Sequence, residues 1–374
     1  MIVFGARSIV LLLGLVQGVV VAGLLLANVR VNRVANAFLA ALLVMLSLRM
    51  LPYVLGFAGA YGVWPWLSFA PFDLALVYGP LLWAFIVALT TGRTPVAWRV
   101  HFLPALVQFA YYAVLFVQPL AFKNGWDARV HVPFVVPFET LADAVSMTAY
   151  WIATWRTYRA YQRDLDAQLS NRDAFRLLWL RDVLLALAGA VAVFWLLALT
   201  GAVHPLSYIQ RFPGYVYLTI VVYVLGLQGW RHAAVAYPQV VRAAEGAPAV
   251  PAWSPAVDFA AEIERRGLWR EPDITLASAA ATLGVGTATL SRALNVGLGQ
   301  NFNAAINRMR VSGVQSELAA GATASLLDLA FAVGFASKAS FNRAFKTYAG
   351  VTPTEYRRSV GARRLIDASH DATS

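Results

Sequence analysis

The sequence predicts an all-α protein in two parts: a seven-helix transmembrane bundle, then a small all-helical domain with two helix-turn-helix units. Three observations lead to this fold class. Hydrophobic residues make up 59% of the 374 residues and charged residues only 13%, so the chain is far more apolar than an average soluble protein. The long apolar runs lie within residues 8–228. After about residue 240 the composition is that of a globular protein, and one helical layout occurs twice.

Seven apolar segments reach or approach the roughly 17–25 residues that a helix needs to cross a bilayer. They lie at about 8–28, 35–56, 72–91, 101–120, 134–154, 182–200 and 213–229. The first apolar stretch is too long for a signal-peptide core, so we interpret it as a span that is not cleaved. The polar connection at 155–181 is expected to extend the fifth span as a helix. We therefore predict a transmembrane module over 1–230, an Ala- and Pro-rich linker over 231–257 and a C-terminal domain over 258–374.

The basic residues of the loops predict the orientation of this bundle. Cytoplasmic loops are enriched in Lys and Arg. One set of loops carries ten basic residues and the opposite set carries four. The richer set consists of Arg30, Arg33, Arg93, Arg99, Arg156, Arg159, Arg163, Arg172, Arg176 and Arg181. With seven spans the C-terminus shares this side, so we expect a multi-pass protein of the cytoplasmic (inner) membrane with its N-terminus outside and its C-terminal domain in the cytoplasm.

Four charged residues fall at membrane depth, in the half of the bundle that faces away from the cytoplasm. Such residues are costly in lipid and are candidates for function. Arg49, Asp73, Glu139 and Asp143 are therefore predicted to line a ligand pocket. The alternative is structural: Arg49 pairs with one of the acids to hold the bundle together, or the acids lie at the membrane interface. The sequence leaves both interpretations open.

The net charge of +11 does not by itself indicate a nucleic-acid partner. Residues 1–249 contain 17 Lys and Arg against 9 Asp and Glu, whereas residues 250–374 contain 13 against 10, so most of the excess lies in the membrane half. The chain has no cysteine, which excludes disulfides and thiolate metal sites. Its five histidines show no metal-ligand spacing. We predict neither a metal site nor a cofactor.

The C-terminal part contains two segments with the same layout, at about 275–295 and 325–348. In each, an alanine is followed four residues later by a glycine and then by a second short helix: Ala280 and Gly284 in the first, Ala330 and Gly334 in the second. A helix-turn-helix needs a small residue where its helices cross and a glycine where the chain turns with positive φ. The helix predicted at 301–321 would hold the two units about 34 Å apart, so that both enter major grooves on one face of DNA.

The stretch from about 262 to 360 resembles the DNA-binding domain of the AraC/XylS family of transcriptional regulators. The matching residues include Gly334-Phe335, the run Ser337 to Lys346, Gly350-Val351-Thr352-Pro353 and Tyr356-Arg357, with Leu290-Ser291-Arg292 in the first unit. The first unit departs from the family pattern where Leu294-Asn295 replaces an aromatic-lysine pair, which implies one phosphate contact fewer. The membrane half looks like the seven-span sensor modules that are fused to such domains, on the weaker motifs VYGPLLWAFIVALTTG and HFLPAL.

The resemblance implies two recognition helices, at about 287–295 and 337–348. The residues that it places towards DNA are Thr287, Ala288, Thr289, Ser291, Arg292, Lys338, Ala339, Ser340, Asn342, Arg343 and Lys346. Arg292 and Arg343 are expected to contact guanine or phosphate, because a guanidinium fork fits either, and Lys346 is expected to meet phosphate. The structural alternative pairs the arginines with surface carboxylates. The aromatic residues Phe335, Phe341, Phe345, Tyr348 and Tyr356 are assigned to the core.

The leading hypothesis is a membrane-embedded, one-component transcriptional regulator that binds promoter DNA through its C-terminal domain, with the membrane module as sensor or anchor. Its partners would be double-stranded DNA, the lipid bilayer and an unidentified small-molecule or envelope signal; RNA polymerase and a second copy of the chain are also compatible. An enzyme is not expected, because no phosphate-binding loop, nucleophile elbow or His-Glu-x-x-His site occurs. A membrane receptor or transporter-like protein whose tail binds another protein remains the alternative.

Overall fold

Most of the described part of the chain is helical. The computed structural model describes residues 2–28, 31–169, 177–203, 207–238 and 256–371. Within these ranges there is no strand, and Leu169 and Thr275 meet in an isolated antiparallel β-bridge. The prediction of an all-α fold is confirmed. The chain forms two compact units, of which the first comprises 1–160 and 177–239, and the second 161–176 and 240–374.

The first unit contains nine α-helices among its described residues, and several of them are long and apolar. They are α1 (Ala6–Asn28), α2 (Arg33–Phe57), α3 (Ala60–Val63), α4 (Tyr78–Thr91), α5 (Leu103–Phe116), α6 (Leu120–Trp126), α7 (Val136–Gln168), α8 (Leu178–Val203) and α9 (Phe212–His232). Five stretches are long and apolar enough to cross a membrane: Ala6–Ala27, Arg33–Phe57, Trp98–Phe116, Leu178–Thr200 and Phe212–His232. The third predicted span corresponds to a shorter apolar stretch, Ala75–Thr91. The fifth is the first half of α7, where Glu139 and Asp143 lower the hydropathy.

Small residues let the helices of the first unit approach closely. Helix α1 packs against α2 and α9. A Cβ atom built on Gly14 would lie 2.6 Å from Cγ2 of Thr219 on α9, and one built on Gly79 would lie 2.7 Å from the Tyr150 ring. Both distances are shorter than van der Waals contact, so only glycine fits at these crossings. Close approach at small residues is the usual way in which helices associate in lipid, where dispersion contacts replace the hydrophobic effect.

The chain just after α9 is held by polar contacts with the start of α2. The Asn32 amide donates to the carbonyl of Val235 at 2.7 Å, and the Asn36 amide donates to that of Ala233 at 3.3 Å. The first residues of the predicted linker therefore belong to the first unit. Most of the linker, residues 239–255, lies outside the described residues.

The second unit is built from seven shorter helices and the end of α7. The helices are α10 (Ala256–Arg265), α11 (Leu276–Thr282), α12 (Thr287–Leu298), α13 (Phe302–Ala320), α14 (Leu326–Ala332), α15 (Lys338–Ala349) and α16 (Pro353–Asp371). Buried residues of these helices and of the segment before α11 form a hydrophobic core that includes Ile263, Trp269, Ile306, Val314 and Phe345. Proline opens α16, where its missing N–H costs nothing.

The end of α7 contacts this helical domain at two places. The Asn303 amide, in the first turn of α13, donates to the carbonyl of Asp166 at 3.0 Å. Leu169 forms its β-bridge with Thr275, the N-cap of α11. The last four carbonyls of a helix have no partner within the helix, so Asn303 caps α7 from outside. The expected helical extension at 155–181 is thus observed as far as Gln168; residues 170–176 lie outside the described part of the chain.

Candidate nucleic-acid interface

The first helix-turn-helix unit consists of α11 and α12. A capping box starts α11: the Thr275 hydroxyl accepts from the Ser278 amide at 3.0 Å, and the Ser278 hydroxyl accepts from the Thr275 amide at 3.0 Å. This arrangement satisfies two amides that a helix start otherwise leaves unpaired. The chain then turns through Gly284, whose φ is +69°, as the sequence predicted. Helix α12, which the sequence predicts as the first recognition helix, follows.

The second unit, α14 and α15, repeats this construction. Ser325 caps α14 through the Asp328 amide at 3.1 Å, and Ser337 caps α15 through the Ser340 amide at 3.2 Å. Gly334 makes the turn at φ +93°. A Cβ atom at Gly334 would lie 2.5 Å from the Arg270 carbonyl oxygen, so backbone conformation and lack of space both require glycine here.

Each unit buries one face of its recognition helix. Leu290 and Phe341 are buried, as are Ala280 and Ala330 where the paired helices cross, and the sequence-based assignments of these four residues are confirmed. In the second unit the rings of Phe335, Phe341, Phe345 and Tyr356 follow one another with centroid separations of 5.4, 5.6 and 5.5 Å.

One aromatic assignment is wrong. Tyr348 was expected in the core, but it is 37% exposed. It lies in the last turn of α15, on the same helical face as Phe341 and Phe345 but nearer the end of the helix. Helical periodicity alone therefore predicts a core position, and no neighbouring element covers Tyr348 completely.

Arg310 of α13 connects the two helix-turn-helix units. The sequence analysis did not identify this residue. Its side chain is fully buried. The guanidinium donates from Nε to the Trp269 carbonyl and from Nη2 to the Glu271 carbonyl, both at 2.7 Å, and lies 5.6 Å from the Phe335 ring centroid. Burial lowers the pKa of Arg310 to about 10, opposed by the negative charge of Asp273. Arg310 thus holds the segment that precedes α11 close to Phe335 of the second helix-turn-helix unit.

The second recognition helix presents its candidate residues to solvent. Lys338, Ala339, Asn342, Arg343 and Lys346 are all exposed. They cover the side of α15 opposite Phe341, Ala344 and Phe345, which are buried. Ser340 is half-buried, and its hydroxyl donates to the Ser337 carbonyl at 2.9 Å within the N-cap. Three of the exposed residues are cationic, so this face is suited to a polyanionic backbone.

The first recognition helix is less accessible. Thr289 is exposed, whereas Thr287, Ala288, Ser291 and Arg292 are half-buried. Helix α10 packs along α12, and α10 precedes the segment that carries the recognisable motif. Leu294 is fully buried, and the Asn295 amide donates to the Ser291 hydroxyl at 3.3 Å. At the positions where the family pattern has an aromatic residue and a lysine, this chain therefore has a core residue and a locally bonded amide.

Three of the four charged residues predicted for a ligand pocket, all in the first compact unit, belong to two polar networks. In one, Arg49 Nη1 lies 3.1 Å from Asp73 Oδ1, and that oxygen also accepts from the Tyr78 hydroxyl at 2.7 Å. The alternative in which Arg49 pairs with an acid therefore has a specific partner. In the other, Glu139 accepts from the Tyr112 hydroxyl at 2.6 Å and from the Gln108 amide at 3.3 Å.

Asp143 belongs to neither network by hydrogen bonding. It is only 8% exposed, and its Oδ1 atom has no hydrogen-bond partner. Among the described residues, no three His, Cys, Asp or Glu side chains converge in a way that could hold a metal ion. The four charged residues thus lie in one region of the bundle without forming a metal site.

Comparison with known proteins identifies a similar domain in the second compact unit, the C-terminal helical domain. A family described as a helix-turn-helix domain matches residues 279–359. Among solved structures, the C-terminal domain of AraT, a response regulator from Geobacillus stearothermophilus, is similar at 26% identity over 29% of this chain and 88% of that one, with a TM-score of 0.26. No curated protein matches the chain. The family match supports an AraC-type helix-turn-helix domain of a DNA-binding transcription regulator at the C-terminus, a non-enzymatic class.

Proposed function

We propose that this protein is a membrane-embedded one-component transcriptional regulator that binds specific promoter sequences with its C-terminal domain. The observation that carries the proposal is α15. Its inner face is fixed in an aromatic core, and its outer face exposes Lys338, Asn342, Arg343 and Lys346. A rigid helix with amide and guanidinium donors on its open face is suited to reading base edges in the major groove, and its lysines suit phosphate contacts.

The membrane part of the proposal is supported by the apolar helices of the first unit. Five stretches have the length and hydropathy of membrane spans, and we infer that the shorter α4 stretch and the first half of α7 complete a seven-span bundle. The distribution of arginines favours an outside N-terminus and a cytoplasmic C-terminus. This topology would place α15 on the same side of the membrane as the chromosome.

We infer that α7 couples the two functions. Its first half carries Glu139 and Asp143, and its end is capped by Asn303 and bridged to Thr275. A signal that shifts α7 would therefore act directly on the start of α11 and α13, which position the first recognition helix. The polar networks around Arg49 and Glu139 are the candidate receiver of a small-molecule or envelope signal. RNA polymerase and a second copy of the chain remain predicted partners.

Genome-wide footprinting of the tagged full-length protein tests the DNA-binding part. We expect discrete promoter peaks that disappear in the Arg292→Ala, Arg343→Ala double variant. The control is Arg308→Ala, which removes an exposed arginine of α13 that lies outside both helix-turn-helix units. Peaks that survive in the double variant would contradict the role given to the two arginines, and a wild type without discrete peaks would favour a tail that binds a protein partner instead.

The absence of cysteine makes the topology directly testable. A cysteine introduced at Gly5 should react with a membrane-impermeant maleimide in intact cells, whereas one at Ser359 should react only after permeabilisation. Gly5 and Ser359 are both exposed, so failure to react would reflect the membrane and not burial. Labelling of Ser359→Cys in intact cells would exclude a cytoplasmic DNA-binding domain.

A further inference from the structure

One face of α7 changes its chemistry midway along the helix. Its exposed side begins with Phe138, Leu141, Val145 and Ile152, which are between 39% and 71% exposed. With 3.6 residues per turn, the same side continues into Arg156, Arg159 and Arg163, and all three are exposed. The opposite side stays buried throughout and consists of Thr154, Tyr158, Tyr161 and Leu165. The outward face therefore passes from apolar to cationic within one turn, between Ile152 and Arg156.

Two tryptophans lie at this transition. The rings of Trp151 and Trp155 are stacked with centroids 5.7 Å apart, and the Trp151 indole donates to the Leu184 carbonyl at 2.9 Å. Tryptophan is enriched where the hydrocarbon core meets the headgroups. The stacked pair and the change of side-chain chemistry thus independently indicate the same boundary, just before Arg156.

The three arginines lie at the depth of lipid phosphates. The headgroup layer is about 5–8 Å thick on each side of the hydrocarbon core. Along a helix, Arg159 is about 4.5 Å and Arg163 about 10 Å beyond Arg156. Long cationic side chains extend towards the interface that suits them, so all three guanidinium groups can reach this layer.

No carboxylate neutralises these guanidinium groups within the described part of the chain. The ion pairs found there involve other residues, for example Arg181 with Asp182 at 2.9 Å. Guanidinium forms bidentate hydrogen bonds with phosphate oxygens, and basic residues beside a cytoplasmic membrane surface are attracted by acidic lipids. The arginine face therefore has the charge, the geometry and the depth to bind the phosphate group of a lipid.

We propose that Arg156, Arg159 and Arg163 bind the phosphate groups of anionic phospholipids. The proposal rests on the membrane placement given under the proposed function. It assigns to α7 a lipid partner on its outer face, on the helix whose end is capped by Asn303. The composition of the surrounding membrane would then influence how firmly α7 is held.

The test compares lipid binding by matched variants of the full chain. Purified protein in a neutral detergent is titrated with phosphatidylglycerol or phosphatidylcholine, and bound lipids are counted by native mass spectrometry. Each arginine near an anionic surface contributes a factor of about five. We expect Arg156→Gln with Arg159→Gln to weaken phosphatidylglycerol binding roughly thirtyfold, and the addition of Arg163→Gln to bring this to roughly 150-fold. The control, Arg129→Gln with Arg211→Gln, removes two exposed arginines elsewhere and should bind as the wild type does.

Each possible result decides the question. Equal binding of the two lipids by the wild type, unchanged binding by the double variant, or an equal loss in the control would overturn the proposal. Replacing Arg156 and Arg159 by lysine should retain most of the affinity, because the charge is kept; a loss equal to that of the glutamine variant would point to a packing defect and refute a lipid site. If the double variant instead loses affinity for duplex DNA in lipid-free micelles, the face reads nucleic acid. Release of the protein from cell membranes by alkaline carbonate would refute membrane embedding itself, which is a separate failure.

Discussion

Replacing Arg310 by lysine should destabilise the helix-turn-helix domain although the charge is conserved. Arginine donates to two carbonyls at once, those of Trp269 and Glu271, both at 2.7 Å. A lysine ammonium is a point donor on a shorter reach and cannot reproduce this fork. The change therefore removes at least one charge-assisted hydrogen bond from a fully buried site.

The expected loss of stability follows from the hydrogen bond that is removed and the buried charge that remains. A hydrogen bond to a charged group contributes about 1.5–3 kcal/mol. The cost of burying a cation remains in the lysine variant, because the ammonium group would occupy the same fully buried site. We therefore expect a loss of about 1.5–3 kcal/mol in local stability. Arg310→Met removes the buried charge as well but leaves the Trp269 carbonyl unpaired, at a cost of about 1–3 kcal/mol.

Hydrogen–deuterium exchange of the full-length protein in detergent measures this loss where it occurs. The amides of Arg270 and Ile274 are hydrogen-bonded within the segment that Arg310 holds. With 1.36 kcal/mol per factor of ten, their exchange should be roughly ten- to hundredfold faster in Arg310→Lys. The exposed Arg308 provides the matched control, and Arg308→Lys should leave these amides unchanged. If exchange in Arg310→Lys stays within a factor of two of the wild type, the two hydrogen bonds of the Arg310 guanidinium do not hold this segment in place.

Five further substitutions test the turns of the two helix-turn-helix units, their binding to DNA and the contact between Asn303 and α7. Gly334→Ala should lower the free energy of unfolding by on the order of 3 kcal/mol or more, because φ is +93° and the added Cβ would collide with a carbonyl oxygen. Gly284→Ala should lower it by only about 1–2 kcal/mol, because the space around Gly284 is open. Thermal or urea unfolding measures both. In duplex binding, Lys346→Gln should reduce the slope of log affinity against log salt by about 0.9 for all sequences. Arg343→Gln should weaken specific duplexes by about 1–3 kcal/mol and spare non-specific ones. Asn303→Ala should speed amide exchange in the last turn of α7 about tenfold, since one hydrogen bond of about 1 kcal/mol or slightly more is lost.

The two helix-turn-helix units could be predicted from the sequence because local rules determine them. The glycines at the turns, the small residues at the crossings and the capping residues act within about ten residues of chain. Leu290 and Phe341 are buried as expected, and α13 ends at Gly321 with φ +95°. Similarly, apolar length in the sequence located the helices that are long and apolar enough to cross a membrane.

Contacts between distant segments could not be predicted. Arg310 is an ordinary arginine in the sequence, and its role depends on carbonyls about 40 residues earlier. Arg292 is half-buried on α12, and α10, which packs along α12, lies mostly before the recognisable motif.

The contact between α7 and the helical domain is of the right strength for regulation. Capping of α7 by Asn303 contributes about 1 kcal/mol, and complete burial of Leu165 adds about 1.5–3 kcal/mol. A contact of a few kcal/mol is strong enough to be occupied most of the time and weak enough for one ligand to release. Allosteric coupling energies are typically 1–3 kcal/mol, equivalent to 5- to 150-fold changes in affinity. A signal that strains α7 by that amount would therefore offset much of this contact, and we expect it to alter how the start of α11 and α13 positions the first predicted recognition helix.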